Sequence, residues 1–236
     1  MSLEPISVPL WGVAVVLVGF PLAYLLYDLT PWARRLWGDE DRSPYLRYWV
    51  GVAVLQWASV LAVSLVLTES GYRLSSLGLV VPESVLVLAA STILLALTVV
   101  GYSNRVIAAE ELPRDQVDMP SPGGYLPITR LERTVRFFSS AITDGVCGEI
   151  VYRGFAILAL LGFGVPWWGA VIVASIPAPF VNGLAALNPV TYASHFAVAV
   201  VFAGIFLATG SLFVPIVLHV SMNLLLTIRN TQAELS

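Results

Sequence analysis

The apolar stretches of this sequence contain few side chains that could do chemistry. They are Asp144, Glu149 and Arg153 in one stretch, His195 in a second, and His219 with Asn223 in a third. Because an ionisable side chain at bilayer depth costs about 3 kcal/mol, such residues usually have a partner or a function. A desolvated carboxylate can act as a general base, and imidazole or amide groups can stabilise a developing oxyanion. These residues are therefore the candidates for a polar site within a membrane.

The spacing of these residues places them in pairs. Glu149 and Arg153 are four residues apart, and so are His219 and Asn223, so each pair shares one helix face. At about 1.5 Å per residue, both pairs lie near mid-membrane, roughly 15 to 20 Å from flanking arginines. Each pair alone could be structural, as an ion pair that neutralises itself or as hydrogen bonds between helices. Two pairs at matched depth favour one shared site.

Composition limits the classes of protein to which the chain can belong. Of its 236 residues, 58% are hydrophobic and only 11% are charged, which leaves too little polar surface for a water-soluble globule. The formal charge of −3 argues against a nucleic-acid partner, which would require a basic patch. The single cysteine, Cys147, excludes an internal disulfide, and no Cys/His cluster has zinc-site spacing. We therefore expect an all-α, polytopic transmembrane helix bundle.

Apolar runs long enough to cross about 30 Å of hydrocarbon indicate about seven helices. They lie near 8–28, 45–68, 82–102, 137–161, 165–182, 189–209 and 211–228. Proline at or near a first helical position supports starts at Pro44, Pro166 and Pro189. Thr129 and Glu132 have the spacing of a capping box, so the fourth helix should begin in the interface, before its apolar stretch.

The placement of arginines predicts the orientation of the chain. They cluster after the first helix, between the third and the fourth, and after the last, at Arg34, Arg35, Arg42, Arg47, Arg105, Arg114, Arg130, Arg133, Arg136 and Arg229. By the positive-inside rule these regions are cytoplasmic, which places the N-terminus outside. Only Arg73 falls on the opposite side. We expect a multi-pass protein of the cell membrane that forms a single domain over 1–236.

The segment 103–128 is polar and rich in proline, glycine and acidic residues, as expected of a cytoplasmic loop. Its neighbouring Glu110 and Glu111 could suggest a catalytic carboxylate pair. Solvated side chains are the better interpretation, because nothing in the loop would desolvate them. Residues 8–128 would then comprise the N-terminal helices and this loop.

The segment Gly148-Glu149-Ile150-Val151-Tyr152-Arg153-Gly154 resembles the Glu-Glu-x-x-x-Arg motif of the CPBP family. This family includes the CAAX prenyl endopeptidases and the bacteriocin-processing and Abi-like membrane proteins. The second glutamate and the arginine of that motif match here, whereas Gly148 stands in place of the first glutamate.

Two further motifs carry the resemblance. The family's His-x-x-x-Asn motif is intact at His219 and Asn223, but its Phe-x-x-x-His motif corresponds to 182–187, where Ala186 replaces the histidine. The resemblance implies a CPBP-like core over 129–228. It also implies that the missing glutamate and histidine would activate water in a chamber open to the cytosol. His219 and Asn223 would bind the oxyanion and orient the site. Expected partners are membrane lipids and a peptide, either prenylated or unmodified.

Three interpretations of the activity stay open. Glu149 could be the base, although it is rotated by about 100° from position 148 and Arg153 competes for it. Asp144 and His195 could instead replace the missing glutamate and histidine. Asp144 lies one turn before position 148 on the same helix face, and His195 follows position 186 by nine residues. Alternatively, the chain is an inactive homologue that serves as a membrane scaffold, chaperone or immunity-type protein.

Other chemistries have less support from the sequence. Cys147 could join a histidine and an asparagine in a nucleophilic trio, but it is rotated by about 200° from Glu149, so a packing role is the alternative. No cofactor is expected. A metal requirement stays open, although one histidine and an arginine-paired glutamate make a poor ligand set.

A transporter would show a repeat of broken helices, which the two halves lack. Pro177 and Pro179 should kink or end the fifth helix.

Overall fold

The computed structural model describes residues 3–31, 33, 45–82, 84–104 and 129–234, and most of these are helical, with no β-strand among them. The helices are α1 (Leu10–Asp28), α2 (Tyr45–Glu69), α3 (Val85–Tyr102), α4 (Arg130–Gly162), α5 (Trp167–Ser175), α6 (Pro189–Thr209) and α7 (Phe213–Glu234), with a 3₁₀ segment at Ala178–Leu187 between α5 and α6. The chain is a helical bundle, as predicted.

Several sequence predictions concern residues outside the described ranges. The expected helix start at Pro44 and the Glu110–Glu111 pair lie outside the described residues. The same holds for most of the arginines on which the orientation rests, namely Arg34, Arg35, Arg42, Arg105 and Arg114, and for the side chain of Arg229. The N-terminus-outside orientation therefore stays a prediction.

Among the described residues, four helices are long and apolar enough to cross a membrane: α1, α2, α4 and α6. A fifth span results if α5 and the 3₁₀ segment, which meet at a bend of 41°, count as one. The apolar parts of α3 and α7 are shorter, Val85–Gly101 and Phe213–Leu225. The chain is a membrane protein, and the expected number of about seven spans stays a prediction.

Helix α4 is the central helix of the bundle. Its most apolar window is 83% buried inside the protein, whereas the corresponding windows of α1, α2 and α6 are only 22–39% buried. The side chains of Phe155, Ile157 and Leu158 on α4 have no exposed surface and belong to the largest core cluster. Most residues in that window of α4 are therefore enclosed by protein.

The course of α4 is irregular around the residues of interest. The predicted capping box is confirmed, because Thr129 accepts a hydrogen bond from the backbone N–H of Glu132 while the Glu132 carboxylate accepts one from the Thr129 N–H. Wide π-helical turns occupy Phe137–Thr143 and Glu149–Ala156, on either side of an α-helical turn at Asp144–Gly148. Such turns are rare and often occur at functional sites.

The predicted fifth helix, 165–182, is shorter than the sequence suggested. It ends at Ser175, and the chain bends before a 3₁₀ segment that begins after Pro177, as expected where proline removes a backbone donor. The segment contains Gly183 at φ +56°, where a Cβ would collide with the carboxylate of Asp28. That carboxylate accepts the Leu184 N–H at 2.8 Å, so the bent segment is tied to the end of α1.

Helices α4 and α7 approach closely at Gly145. A Cβ there would lie 2.6 Å from Cγ2 and 3.1 Å from the backbone nitrogen of Val220, so only glycine fits without a shift of α7. Because α7 also packs along α3, it is held from two sides. This close contact sets the distance across which His219 meets the carboxylates of α4.

Candidate active site

The imidazole ring of His219 lies between two carboxylates of α4. Its Nδ1 is 2.7 Å from Oε1 of Glu149, and its Nε2 is 3.5 Å from Oδ2 of Asp144. Carboxylate oxygens accept hydrogen bonds, so this arrangement matches a ring that donates from both nitrogens. The side chain is 14% exposed, which leaves one part of the ring accessible.

Glu149 is enclosed on all sides, and its side chain is 0% exposed. Its Oε2 lies 3.3 Å from Nε of Arg153, an ion pair within one helix face. The guanidinium of Arg153 lies 5.8 Å from the ring centre of Phe202, and the same ring is 5.5 Å from that of His219. Glu149 thus holds the histidine and the arginine but has no surface through which it could contact a water and a substrate together.

Asp144 has a different environment, with a side chain that is 21% exposed. Its Oδ1 accepts a hydrogen bond from Nε2 of Gln56 at 3.1 Å, and its Oδ2 lies 3.5 Å from Nδ2 of Asn223. The same asparagine nitrogen donates to the backbone oxygen of Ser140 at 2.8 Å, which fixes the amide between α4 and α7.

The charges of the cluster balance. With His219 donating from both nitrogens, the two carboxylates of Asp144 and Glu149 face one imidazolium and the guanidinium of Arg153. A buried charge without a partner is strongly unfavourable, whereas a neutral network with satisfied hydrogen bonds is tolerated at membrane depth. The balance explains how three ionisable groups on α4 and one on α7 are accommodated inside the bundle.

Two cavities meet at Asp144. The smaller, about 90 Å³, has a mixed lining that includes the polar side chains of Arg153, His195, His219 and Asn223. The larger, about 320 Å³, has aromatic and apolar walls that include Tyr48, Trp49, Val52 and Leu184. Both cavities are lined by Asp144, Val181 and Asn182. Asp144 is therefore accessible from both cavities.

Residues 130–225 match the family model described as type II CAAX prenyl endopeptidase, Rce1-like. This segment is similar to that family. It begins at the first residue of α4, ends within α7, and contains Asp144, Glu149, Arg153, His219 and Asn223. No curated protein and no solved structure matches the chain. The match confirms the resemblance drawn from the motifs.

The first departure from the CAAX endopeptidase motifs, Gly148, faces the smaller cavity. A Cβ built on it meets a single atom within 4 Å, Oδ1 of Asp144 at 3.8 Å. The predicted shared face of positions 144 and 148 is therefore confirmed, and the cavity has room for a side chain at 148. The second departure, Ala186, is 3% exposed within the 3₁₀ segment.

His195 lies on α6 and lines the smaller cavity, which Asp144 also lines. Its Nδ1 is 2.8 Å from the backbone oxygen of Thr191. Because a carbonyl oxygen only accepts, Nδ1 carries the proton of that bond and Nε2 is the ring nitrogen with a lone pair in the neutral form. The structure thus brings both residues considered for compensation to one cavity.

Cys147 lines neither of the two cavities. It is 1% exposed and belongs to the largest apolar core cluster, which suits a packing residue. Among the described residues, no group of three or more His, Cys, Asp or Glu side chains could hold a metal ion.

Sequence reasoning missed Gln56. It lies on α2, outside the motifs, and yet donates directly to Asp144. The available signal was its residue type, because Gln56 is an amide within a 25-residue helix that is otherwise strongly apolar. Hydropathy reveals such a residue but not its partner, which lies 88 positions later in the chain.

Proposed function

We propose that this chain is an active intramembrane endopeptidase of the CAAX prenyl endopeptidase type, in which Asp144 activates the attacking water. One observation carries the proposal. Of the two carboxylates that contact His219, Asp144 is exposed to both cavities while Glu149 is fully enclosed. Asp144 therefore replaces the glutamate that the family has at the position of Gly148.

The reaction uses groups that already surround Asp144. Its carboxylate takes a proton from water as the water oxygen bonds to the peptide carbonyl carbon, and the carbonyl π electrons move to oxygen. Nε2–H of His219 and the amide of Asn223, both 3.5 Å from Oδ2, are the donors that would stabilise that oxyanion. Collapse of the intermediate breaks the C–N bond, and the proton passes from Asp144 to the leaving amine.

His195 completes the water-activating half in this proposal. Its accessible Nε2 contributes an acceptor on the α6 side of the smaller cavity. Glu149 serves as a positioning residue, because it holds the ring of His219 and has no exposed surface, and Arg153 pairs with Glu149.

The larger cavity suits the expected substrate, a peptide near the cytosolic face that is either prenylated or unmodified. Its walls of Tyr48, Trp49 and Leu184 are suited to an apolar side chain or lipid, and Asp144 is part of the same lining. A multi-pass location in the cell membrane, in contact with lipid, would give such a substrate lateral access.

A second candidate function is peptide binding without cleavage. The observation in its favour is that Asp144 already has donors on both oxygens, from Gln56, His219 and Asn223. These hydrogen bonds occupy the carboxylate oxygens that would otherwise take a proton from water. The chain would then act as a membrane scaffold, chaperone or immunity-type protein.

Cleavage by purified protein in liposomes separates the two functions. The substrates are a prenylated CAAX-type peptide and the same peptide without the lipid. Turnover by the wild type that Asp144→Asn abolishes supports the protease. Ser64→Ala is the control, because Ser64 only donates to the Val60 backbone oxygen within α2. An inactive wild type that gains turnover from Gly148→Glu combined with Ala186→His would contradict the protease proposal and support the binding function.

A further inference from the structure

Gln56 is a buried amide in an apolar transmembrane helix. Its residue is 2% exposed, and its Nε2 donates to Oδ1 of Asp144 at 3.1 Å. It also lines the larger cavity, with Asp144. Gln56 lies well before the segment 130–225 that matches the CAAX endopeptidase family, so the match assigns it no role.

The other end of the amide has no hydrogen-bond partner. Oε1 of Gln56 is inaccessible and makes no hydrogen bond within the described part of the chain. A buried carbonyl without a partner costs about 1–3 kcal/mol. Methionine has the same length and no such cost, so the stability of α2 alone would favour an apolar side chain here. The feature that a glutamine has and a methionine lacks at this position is the hydrogen bond to Asp144.

That contact determines how the carboxylate is presented. With Oδ1 held by Gln56 on α2, Oδ2 is the oxygen that faces His219 and Asn223 on α7. A carboxylate held from one side keeps a fixed rotation about its Cβ–Cγ bond. Without the amide, Asp144 could rotate toward the larger cavity, since only weaker contacts of 3.5 Å remain on Oδ2.

We propose that Gln56 is a positioning residue that fixes the orientation of the Asp144 carboxylate for water activation. The inference rests on the proposed protease function. It extends the active site to α2, so that the catalytic carboxylate on α4 is set by helices on two sides. Positioning of this kind raises kcat and has little influence on substrate affinity.

The decisive variant is Gln56→Met, which keeps the length of the side chain and removes the donor. We expect kcat to fall by about 10- to 100-fold, the range for loss of a hydrogen bond to a charged group, with KM within about twofold of wild type. The melting temperature in detergent should be unchanged or higher, because the unpaired carbonyl is gone. A merely structural glutamine would give the reverse, a lower melting temperature with unchanged kcat.

Ser59→Ala is the matched control. Ser59 is equally buried on the same helix and donates to the backbone oxygen of Gln56 itself at 2.6 Å, and the substitution leaves the side-chain amide intact. Its kcat should stay within about twofold of wild type.

The outcomes separate this inference from the proposed function. If Asp144→Asn abolishes turnover while Gln56→Met keeps kcat, the positioning role is overturned and the protease proposal stands. If the wild type has no turnover, the protease proposal fails, and a thermal double-mutant cycle with Gln56→Met and Asp144→Asn tests the contact by itself. Additive effects in that cycle would overturn the inference as well, whereas coupling would support a fixed carboxylate.

Discussion

Asp144 and Glu149 lie five residues apart on α4, and both contact the ring of His219. Their surroundings differ. Glu149 has no exposed side-chain surface and pairs with Arg153, whereas Asp144 is 21% exposed at the junction of two cavities. The same chemical group therefore has two uses here. Burial with a cation suits a carboxylate that positions a histidine, and partial exposure to a cavity suits one that accepts a proton.

The largest effect on activity is expected from Asp144→Asn. The substitution keeps the shape of the side chain and removes the base, so kcat should fall by about 10²- to 10⁴-fold, the usual contribution of general-base catalysis. Cleavage of a CAAX-type peptide in liposomes measures it. Turnover that survives at more than about a tenth of the wild-type rate would remove Asp144 from the chemistry.

Glu149→Gln should lower the stability of the protein more than its activity, which is the reverse of the expectation for Asp144→Asn. The neutral amide leaves the buried guanidinium of Arg153 without its counter-charge, and breaking a buried pair costs about 3–5 kcal/mol. A large drop in melting temperature in detergent is expected, against a small one for Asp144→Asn. Equal melting temperatures for the two variants would show that the burial difference has no energetic consequence.

Gly145→Ala tests the helix contact that brings both carboxylates to His219. The added methyl would lie 2.6 Å from Cγ2 of Val220, and overpacking of this kind costs about 1–3 kcal/mol. Melting temperature and kcat should both fall, because α7 must shift. Gly204→Ala on α6 is the control, since a Cβ there meets nothing within 4 Å. If both alanines behave alike, close packing at Gly145 does not set the site.

His195→Gln should have the smallest effect, a fall in kcat/KM of roughly tenfold, or about 1.4 kcal/mol. The ring lines the smaller cavity but does not belong to the charged cluster, so the melting temperature should not change. Ser194→Ala, at the exposed neighbouring position, is the control. Unchanged kinetics for both variants would mean that His195 is simply hydrated at the cavity edge.

Much of the fold could be predicted because each signal was local. The run at 189–209 is observed as α6 with Asn188 as its cap, and the capping box at Thr129 and Glu132 is present. The prolines at 177 and 179 predicted a kink or an end, but not that α5 would stop at Ser175. The course of a chain after a proline depends on what it packs against, here the carboxylate of Asp28.

The sequence by itself determined which groups are available to the site. Hydropathy singled out the few polar residues at membrane depth, and the spacing of Glu149 with Arg153 and of His219 with Asn223 placed them on shared faces. Only the tertiary structure decided that His219 bridges two carboxylates, that Glu149 is enclosed while Asp144 meets the cavities, and that Gln56 holds Asp144. Spacing fixes neighbours along one helix, whereas exposure and partners depend on how separate helices approach, and that is set by packing at positions such as Gly145.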